Sequence, residues 1–346
     1  MSRESGPSGA AAASAAGVTR PAGDGLPAPE LPAALLGGAG RSPGGAQWLA
    51  RLPRLVDRAV RRWDLTLGDP FPSGSVSWCA PATGPDGADL VLKVSFPHDE
   101  ARHEATVLRA WPRAAAGGPG AHAAGGAVRL VAHHEPDWAL LLERVRPGTP
   151  MRAVRTPVAA RLAAGADVLR VLHAAPVPAG LPALRDVAAG WADLAEQRAA
   201  EAAGAGVRVD TGLLRAGAEE LRRPEPPRVV ALHGDLNPGN LLRGPDGWVA
   251  LDPKALRGDP AFDPAPLIEQ VGDPWRSSDP AAALTDRTRL VADRAGLDAA
   301  AVAGWVLARG TDHVWWDWAH GASARRVRAL QDRARVRAAV RDALTG

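Results

Sequence analysis

His233-Gly234-Asp235-Leu236-Asn237-Pro238-Gly239-Asn240 decides how this sequence is read. The apolar run Val229 to Leu232 just before it has strand character. That strand delivers an aspartate, and five residues after Asp235 comes Asn240. Phosphoryl transfer asks little covalent help of a protein. It asks for a carboxylate that orients the attacking hydroxyl and takes its proton, and for oxygen ligands to Mg²⁺. Asp235 fits the first role and Asn240 the second. Twelve residues beyond Asn240 lies Asp252, after a turn at Gly244-Pro245-Asp246-Gly247 and a short apolar strand, Trp248 to Leu251. Its carboxylate is expected at the same ion. Mg²⁺ favours a few hard oxygen ligands completed by phosphate and water, a set that Asn240, Asp252 and ATP supply. Asp235 by itself reads as well as a turn or cap residue; the whole string with Asp252 behind it does not.

A second segment, Val91-Leu92-Lys93-Val94, puts a lysine inside the apolar strand Asp89 to Phe96. A buried ammonium needs a partner. Kinases place such a lysine on the α- and β-phosphates and pair it with a helix glutamate. The helix read at Asp99 to Trp111, with Asp99 as its N-cap, offers Glu104, with Glu100 one turn earlier as the rival. Upstream, Ser73-Gly74-Ser75 sits in a small-residue loop suited to cover phosphates with backbone N–H groups and hydroxyls. It has one glycine, not a G-x-G-x-x-G set, and reads equally as a plain turn. Leu140 to Val145 ends the first part of the chain; a lobe-joining strand of this kind can give backbone hydrogen bonds to adenine, and its side chains add no further sign of it.

Composition narrows the classes. The chain has 346 residues, 46% apolar and 23% charged, enough for two lobes. The single cysteine, Cys79, excludes a disulfide framework and a cysteine metal cluster and fits a reducing compartment, the cytoplasm. Residues 1–46 are rich in Ala, Gly, Pro and Ser and read as a disordered tail without a secretory signal. No run of about 18 apolar residues appears, so no membrane span is expected. A formal charge of +3 over this length is no nucleic-acid footprint. The basic stretches Arg51 to Arg62 and Arg325 to Arg341 carry apolar residues at helical spacing and read as solvated helix faces. Of 41 Lys plus Arg, only Lys93 and Lys254 are lysines, and Asn237 and Asn240 are the only asparagines. All four fall in the segments singled out by their chemistry.

The expected fold class is α+β, with the two lobes of a protein kinase. Residues 47–146 form a small antiparallel sheet with one helix, the nucleotide-binding lobe. It contains a helix Gln47 to Trp63, strands Ser75 to Ala80, Asp89 to Phe96, Ala127 to His134 and Trp138 to Val145, and a loop from Ala114 to Gly126. Residues 147–346 are read as mostly helical, with helices Pro157 to His173, Ala183 to Ala203 and Thr211 to Arg223. Beyond Leu251 that lobe is read as helical to its end.

At these residues the chain resembles the aminoglycoside/hydroxyurea antibiotic-resistance kinases, most closely their streptomycin 6-kinase branch. The resemblance covers roughly residues 47–320. It rests on Ser73-Gly74-Ser75 through Ala80-Pro81, Val91-Leu92-Lys93, Leu142-Glu143-Arg144 with Pro147-Gly148, the loop at 233–240, and Asp252-Pro253-Lys254 with Gly258-Asp259-Pro260 and Asp263. It implies Asp235 as base, Asn240 and Asp252 on Mg²⁺, Lys93 on phosphates and Glu143 to Val145 at adenine. Position 237 is Asn where this branch commonly has His. Lys254 has two readings, neutralising phosphate charge or holding Asp263 in place.

The acceptor side is read less sharply. Cationic aminoglycosides are held by acidic and aromatic side chains. Asp312 and Trp316 share a helix face and are candidates, although core packing of the tryptophans is the favoured reading. Asp259 and Asp263 are nearer the loop, and Asp263 also reads as a helix start. Two other functions fit parts of the pattern: a sugar or amino-sugar kinase with the same mechanism, and a non-catalytic nucleotide-binding protein. The second sits poorly with an intact set of Lys93, Asp235, Asn240 and Asp252.

Overall fold

The structure, a computed structural model, describes residues 29–72, 74–112 and 126–346. The chain opens with helices α1 (Ala33–Gly37) and α2 (Gly45–Trp63), followed by strands β1 (Thr66–Leu67), β2 (Ser77–Thr83) and β3 (Asp89–Ser95). Helix α3 (Glu104–Ala110), strand β4 (Gly126–Ala127) and strands β5 (Leu130–His134) and β6 (Ala139–Glu143) complete the first part. β1, β2, β3, β6 and β5 form one antiparallel sheet in that order.

Alternation along β3 and β6 explains how this sheet is used. Successive strand residues face opposite sides. Leu90, Leu92 and Val94 of β3, with Ala139 and Leu141 of β6, face outward and are buried under α1 and α2. Leu140 and Leu142 face the other way, toward the core of the second part, and Val91 packs on that core too. Lys93 shares this inner parity, so the pleat itself carries the ammonium to the side where the rest of the molecule lies.

The ordered chain begins before residue 47. Residues 29–46 were expected to be part of a disordered tail, yet Leu35 and Ala39 are fully buried in the outer cluster. Trp78 Nε1 donates to the carbonyl of Glu30 (3.1 Å), and the Ala39 amide donates to the carbonyl of Ser75 (2.6 Å). This strap is held by tertiary burial that an Ala/Gly/Pro composition does not advertise. Leu35→Ala is expected to destabilise the fold by about 2–5 kcal/mol, the usual range for a buried leucine. A urea or thermal midpoint indistinguishable from wild type would show that the strap contributes nothing.

The second part holds α4 (Val158–Leu172), α5 (Leu184–Gly204) and α6 (Thr211–Leu221), then β7 (Val230–Leu232), β8 (Leu241–Arg243), β9 (Trp248–Ala250) and β10 (Leu256–Gly258). Helices α7 (Pro264–Gln270), α8 (Pro280–Ala295), α9 (Ala299–Ala319) and α10 (Ala324–Thr345) finish the chain. Asp210, Asp279, Asp298 and Ser323 start α6, α8, α9 and α10 as N-caps, each accepting an amide three residues on. In α5, Ala188, Ala192, Ala195, Ala199 and Ala202 make one buried stripe, small enough for close packing of α6 and α9 against it.

Three readings of the sequence are corrected here. Helix α3 starts at Glu104, not Asp99; Asp99–Ala101 is a separate 3-10 turn, and the Asp99 side chain caps nothing among the described residues. The span Ala127 to His134 is not one strand. β4 leaves the small sheet and pairs in parallel with β9 (Ala127 opposite Ala250), tying the two parts together. The chain beyond Leu251 is not helical throughout either, because β10 pairs antiparallel with β7. The expected loop from Ala114 to Gly126 falls, up to residue 125, outside the described residues, as does Ser73. Both basic stretches do form helix faces with mostly exposed arginines; Arg333 and Arg341 are half-buried, and Arg337 is buried against Glu269.

Candidate active site

The loop after β7 is built from its backbone outward. Gly234 takes φ of +78°, and a β-carbon there would lie 2.2 Å from the carbonyl of Lys254, so only glycine fits. The amides of His233 and Gly234 donate to Asp263 Oδ2 (2.9 Å) and Oδ1 (2.8 Å). His173 Nε2 reaches Asp263 Oδ2 at 2.8 Å. Asp263 is thus fully buried and clamps the loop rather than facing an acceptor. Burial opposes its charge, but His173 and the His233 amide outweigh it and hold the carboxyl below the usual range.

Further along, Asn237 accepts the Gly239 amide on Oδ1 (2.8 Å), a local turn that Asn makes readily. Asn240 Nδ2 donates to the carbonyl of Asp235 (2.9 Å), so the amide side chain faces back across the loop. The Leu251 amide donates to the carbonyl of Asn240 (3.0 Å). That bond brings the end of β9 alongside the loop and sets Asp252 next to Asn240. Asp252 takes the left-handed backbone conformation (φ 61°), tolerable for Asp.

Lys93 closes the cluster from the sheet above. Its Nζ lies 2.7 Å from both carboxylate oxygens of Glu104 and 2.5 Å from Asp252 Oδ1. Burial opposes the ammonium, but Asp252 and Glu104 outweigh it and raise its pKa. Burial pushes the Glu104 carboxyl up to about 7, against the pull of Lys93. Lys93 holds Asp252 below the usual carboxylate range. One ammonium serves two carboxylates here, which leaves negative charge for a cation to meet. Glu104 therefore takes the role for which Glu100 was the rival. Glu100 instead pairs with Lys254 (3.1 Å), whose ammonium stands 3.8 Å from Asp235 Oδ2. Of the two readings of Lys254, holding Asp263 is not what the structure shows.

No group of three His, Cys, Asp or Glu side chains spaced to hold a metal occurs among the described residues. The pair Asn240 and Asp252 offers one amide oxygen and one carboxylate, hard donors that suit Mg²⁺ when phosphate and water complete the shell. Among the described residues no donor reaches Asn240 Oδ1 or Asp252 Oδ2.

At the end of β6, the Glu143 amide donates to Arg129 (2.9 Å) and the Arg144 amide to Asp89 (3.0 Å). The Val145 amide has no such partner among the described residues. Gly74 has φ of +121°, and its neighbour Ser75 is held by the strap through its carbonyl. Cys79 sits across from Lys93 in the β2–β3 pairing; burial pushes its thiol up to about 12, so it is no nucleophile near neutral pH.

On the acceptor side, Asp259 is not available. Its oxygens accept from Ala261 N (2.9 Å) and Trp305 Nε1 (2.8 Å), and the residue is buried. Asp312 is partly buried; burial pushes its carboxyl up to about 6 against the pull of Arg198 and Arg309. Core packing holds for Trp305 and Trp315 but not for Trp316, which is 46% exposed and stacks with His313 and His320 (centroids 6.0 and 3.9 Å). Two contributors carried no sequence signal. Trp111 stacks on His233 (6.0 Å), linking α3 to the loop. Arg309, one turn before Asp312, donates to the carbonyl of Gly234 (3.1 Å).

The sequence pattern of the aminoglycoside/hydroxyurea antibiotic resistance kinases matches residues 62–321. The chain belongs to that family. Its relatives include the streptomycin 6-kinases of Streptomyces glaucescens, 32% identical over 282 residues (81% of this chain, 87% of the relative), and of Streptomyces griseus, 32% identical over 290 residues with the same coverage. A hydroxyurea phosphotransferase of Kitasatospora aureofaciens is 31% identical over 283 residues, covering 81% of this chain and 77% of the relative. The fold is that of the aminoglycoside phosphotransferases. The crystal structure of APH(4)-Ia superposes with a TM-score of 0.56 at 16% identity, over 83% of this chain and 98% of that one. A mutant of that protein, in ternary complex with ADP and hygromycin B, superposes at 0.54 and 16% identity over 82% and 97%. This family kinase is accordingly a phosphotransferase acting on a hydroxyl group. Among its described residues no helix is long and apolar enough to cross a membrane.

Proposed function

We propose that this kinase transfers the γ-phosphoryl group of Mg²⁺-ATP to a hydroxyl of a cationic aminoglycoside, streptomycin first among them. The observation that carries the reading is the set of contacts that gathers Lys93, Glu104 and Asp252 beside the loop bearing Asp235 and Asn240. Two relatives at 32% identity are named streptomycin 6-kinases and one at 31% a hydroxyurea phosphotransferase, which puts streptomycin first and hydroxyurea second among the acceptors to test.

In this reading Asp235 accepts a hydrogen bond from the acceptor hydroxyl, aims its oxygen and takes its proton as the new bond forms. Lys93, kept straight by Glu104, holds the α- and β-phosphates. Asn240 Oδ1 and Asp252 hold Mg²⁺, which when bound supplies neutralisation of phosphate charge. Lys254 adds a positive charge beside Asp235. The Val145 amide and the Glu143 backbone meet adenine, and the Gly74–Ser75 backbone covers the phosphates. Asp312 and Trp316 line the acceptor side with a carboxylate and an aromatic face.

Asp312 makes the acceptor side pH-dependent. A carboxyl near 6 is charged above that pH and neutral below it. The KM for streptomycin is therefore expected to rise roughly tenfold as pH falls through 6, the size of one charge-assisted contact. Asp312→Asn should raise KM at neutral pH and remove the dependence. A KM that ignores pH in the wild type would remove Asp312 from the acceptor site.

The proposal is tested by ADP release with Mg²⁺-ATP across streptomycin, other aminoglycosides, hydroxyurea and glucosamine. Turnover with streptomycin supports antibiotic inactivation. Turnover with glucosamine and not streptomycin replaces it with an amino-sugar kinase on the same fold. ATP binding without turnover on any of them would favour a nucleotide-binding protein.

A further inference from the structure

A guanidinium taken from water is costly, and the common remedy is a carboxylate fork. Arg309 is partly buried and makes no ion pair within 4 Å among the described residues, although the carboxylates of Asp235, Asp263, Glu269 and Asp312 lie near enough to favour its charge. Its guanidinium lies over the ring of Phe262 (4.4 Å), and Nη1 donates to the carbonyl of Gly234 (3.1 Å). That carbonyl belongs to the peptide joining Gly234 to Asp235. The other side of the same peptide, the Asp235 amide, reaches only His233 Nδ1 at 3.3 Å, a long bond. The Gly234 amide is already fixed by Asp263. What is left free to swing is therefore the 234–235 peptide, and Gly234 lacks a side chain to stop it.

We infer that Arg309 is a positioning residue for phosphoryl transfer: through the Gly234 carbonyl it fixes the peptide that aims the Asp235 carboxylate. Helix α9 thus supplies both the brace of the loop and, one turn later, the acceptor-side Asp312. The inference rests on Asp235 as the residue that receives the hydroxyl proton.

The test uses the full chain, with Arg309→Met, Arg309→Lys and Asp235→Ala measured together for kcat, KM for ATP and thermal midpoint. ADP release is followed with streptomycin and with water alone as acceptor. Arg309→Met is expected to lower kcat on the order of 100-fold, the cost of a small misplacement of a reacting group, with KM for ATP and midpoint close to wild type. Arg309→Lys, whose ammonium reaches the same carbonyl, is expected to recover roughly tenfold of that loss. Wild-type kcat in Arg309→Met overturns the inference, as does a joint fall in kcat, ATP affinity and midpoint that lysine does not rescue. The two failures are distinguishable: an active Asp235→Ala sinks the reading of the base, whereas an inactive Asp235→Ala beside an unaffected Arg309→Met sinks the role of Arg309 alone.

Discussion

Asp235→Ala is expected to lower kcat by about 10²–10⁴-fold, the span that a positioned proton acceptor contributes, while ATP still binds. The separation follows from where Asp235 sits. Among the described residues its side chain bonds neither Lys93 nor Asp252, and the one charged partner within 4 Å is Lys254, at 3.8 Å. The residues proposed to hold nucleotide keep their own partners when Asp235 is truncated. The loop also survives, because its hydrogen bonds run through the backbone of residue 235 and the side chains of Asn240 and Asp263. Near-normal transfer by this variant would mean that the hydroxyl is oriented by another group.

Lys93→Arg is expected to be nearly as damaging, with kcat/KM for ATP down by about 10²–10³-fold, the loss typical of one preorganised charge contact. Lysine and arginine carry the same charge, yet the site is built for a compact ammonium. The Lys93 side chain is 7% exposed, and its Nζ sits within 2.7 Å of three carboxylate oxygens from two residues. A planar guanidinium does not fit between Glu104 and Asp252 without parting them, and parting them moves the proposed Mg²⁺ ligand. Steady-state kinetics at varied ATP reads this directly. An arginine variant with wild-type kcat/KM would show that Lys93 serves only as a charge.

The legibility of the sequence follows from which contacts are local. Lys93 announced itself because an ammonium in an apolar strand must be paired, and the strand parity fixed the side on which it emerges. The neighbourhood of Asp235, Asn240 and Asp252 was legible because they stand at the ends of short apolar strands, and the structure sets Asp252 beside Asn240 through the Leu251 amide. The choice between Glu100 and Glu104 was half legible: both share the segment after β3, and only the start of α3 at Glu104 sends one to Lys93 and the other to Lys254.

Other parts depend on distant partners. Leu35 and Ala39 are buried by a sheet that comes later in the chain, so their segment reads as a tail. β10 is three residues long and exists because β7 pairs with it. Asp259 and Asp263 look alike in sequence, as acids beside the loop, but the Trp305 indole and the His233 and Gly234 amides hold them inward. Arg309 is one of many arginines, and its contact with Gly234 spans 75 residues.

The most direct measurement is a single-turnover quench with γ-labelled ATP, Mg²⁺ and streptomycin. In-line transfer predicts that the label passes from ATP to streptomycin as ADP forms, with none retained on the protein and almost none moved by Asp235→Ala. Label that stays in ATP, or leaves as inorganic phosphate at the same rate with and without streptomycin, would contradict the account.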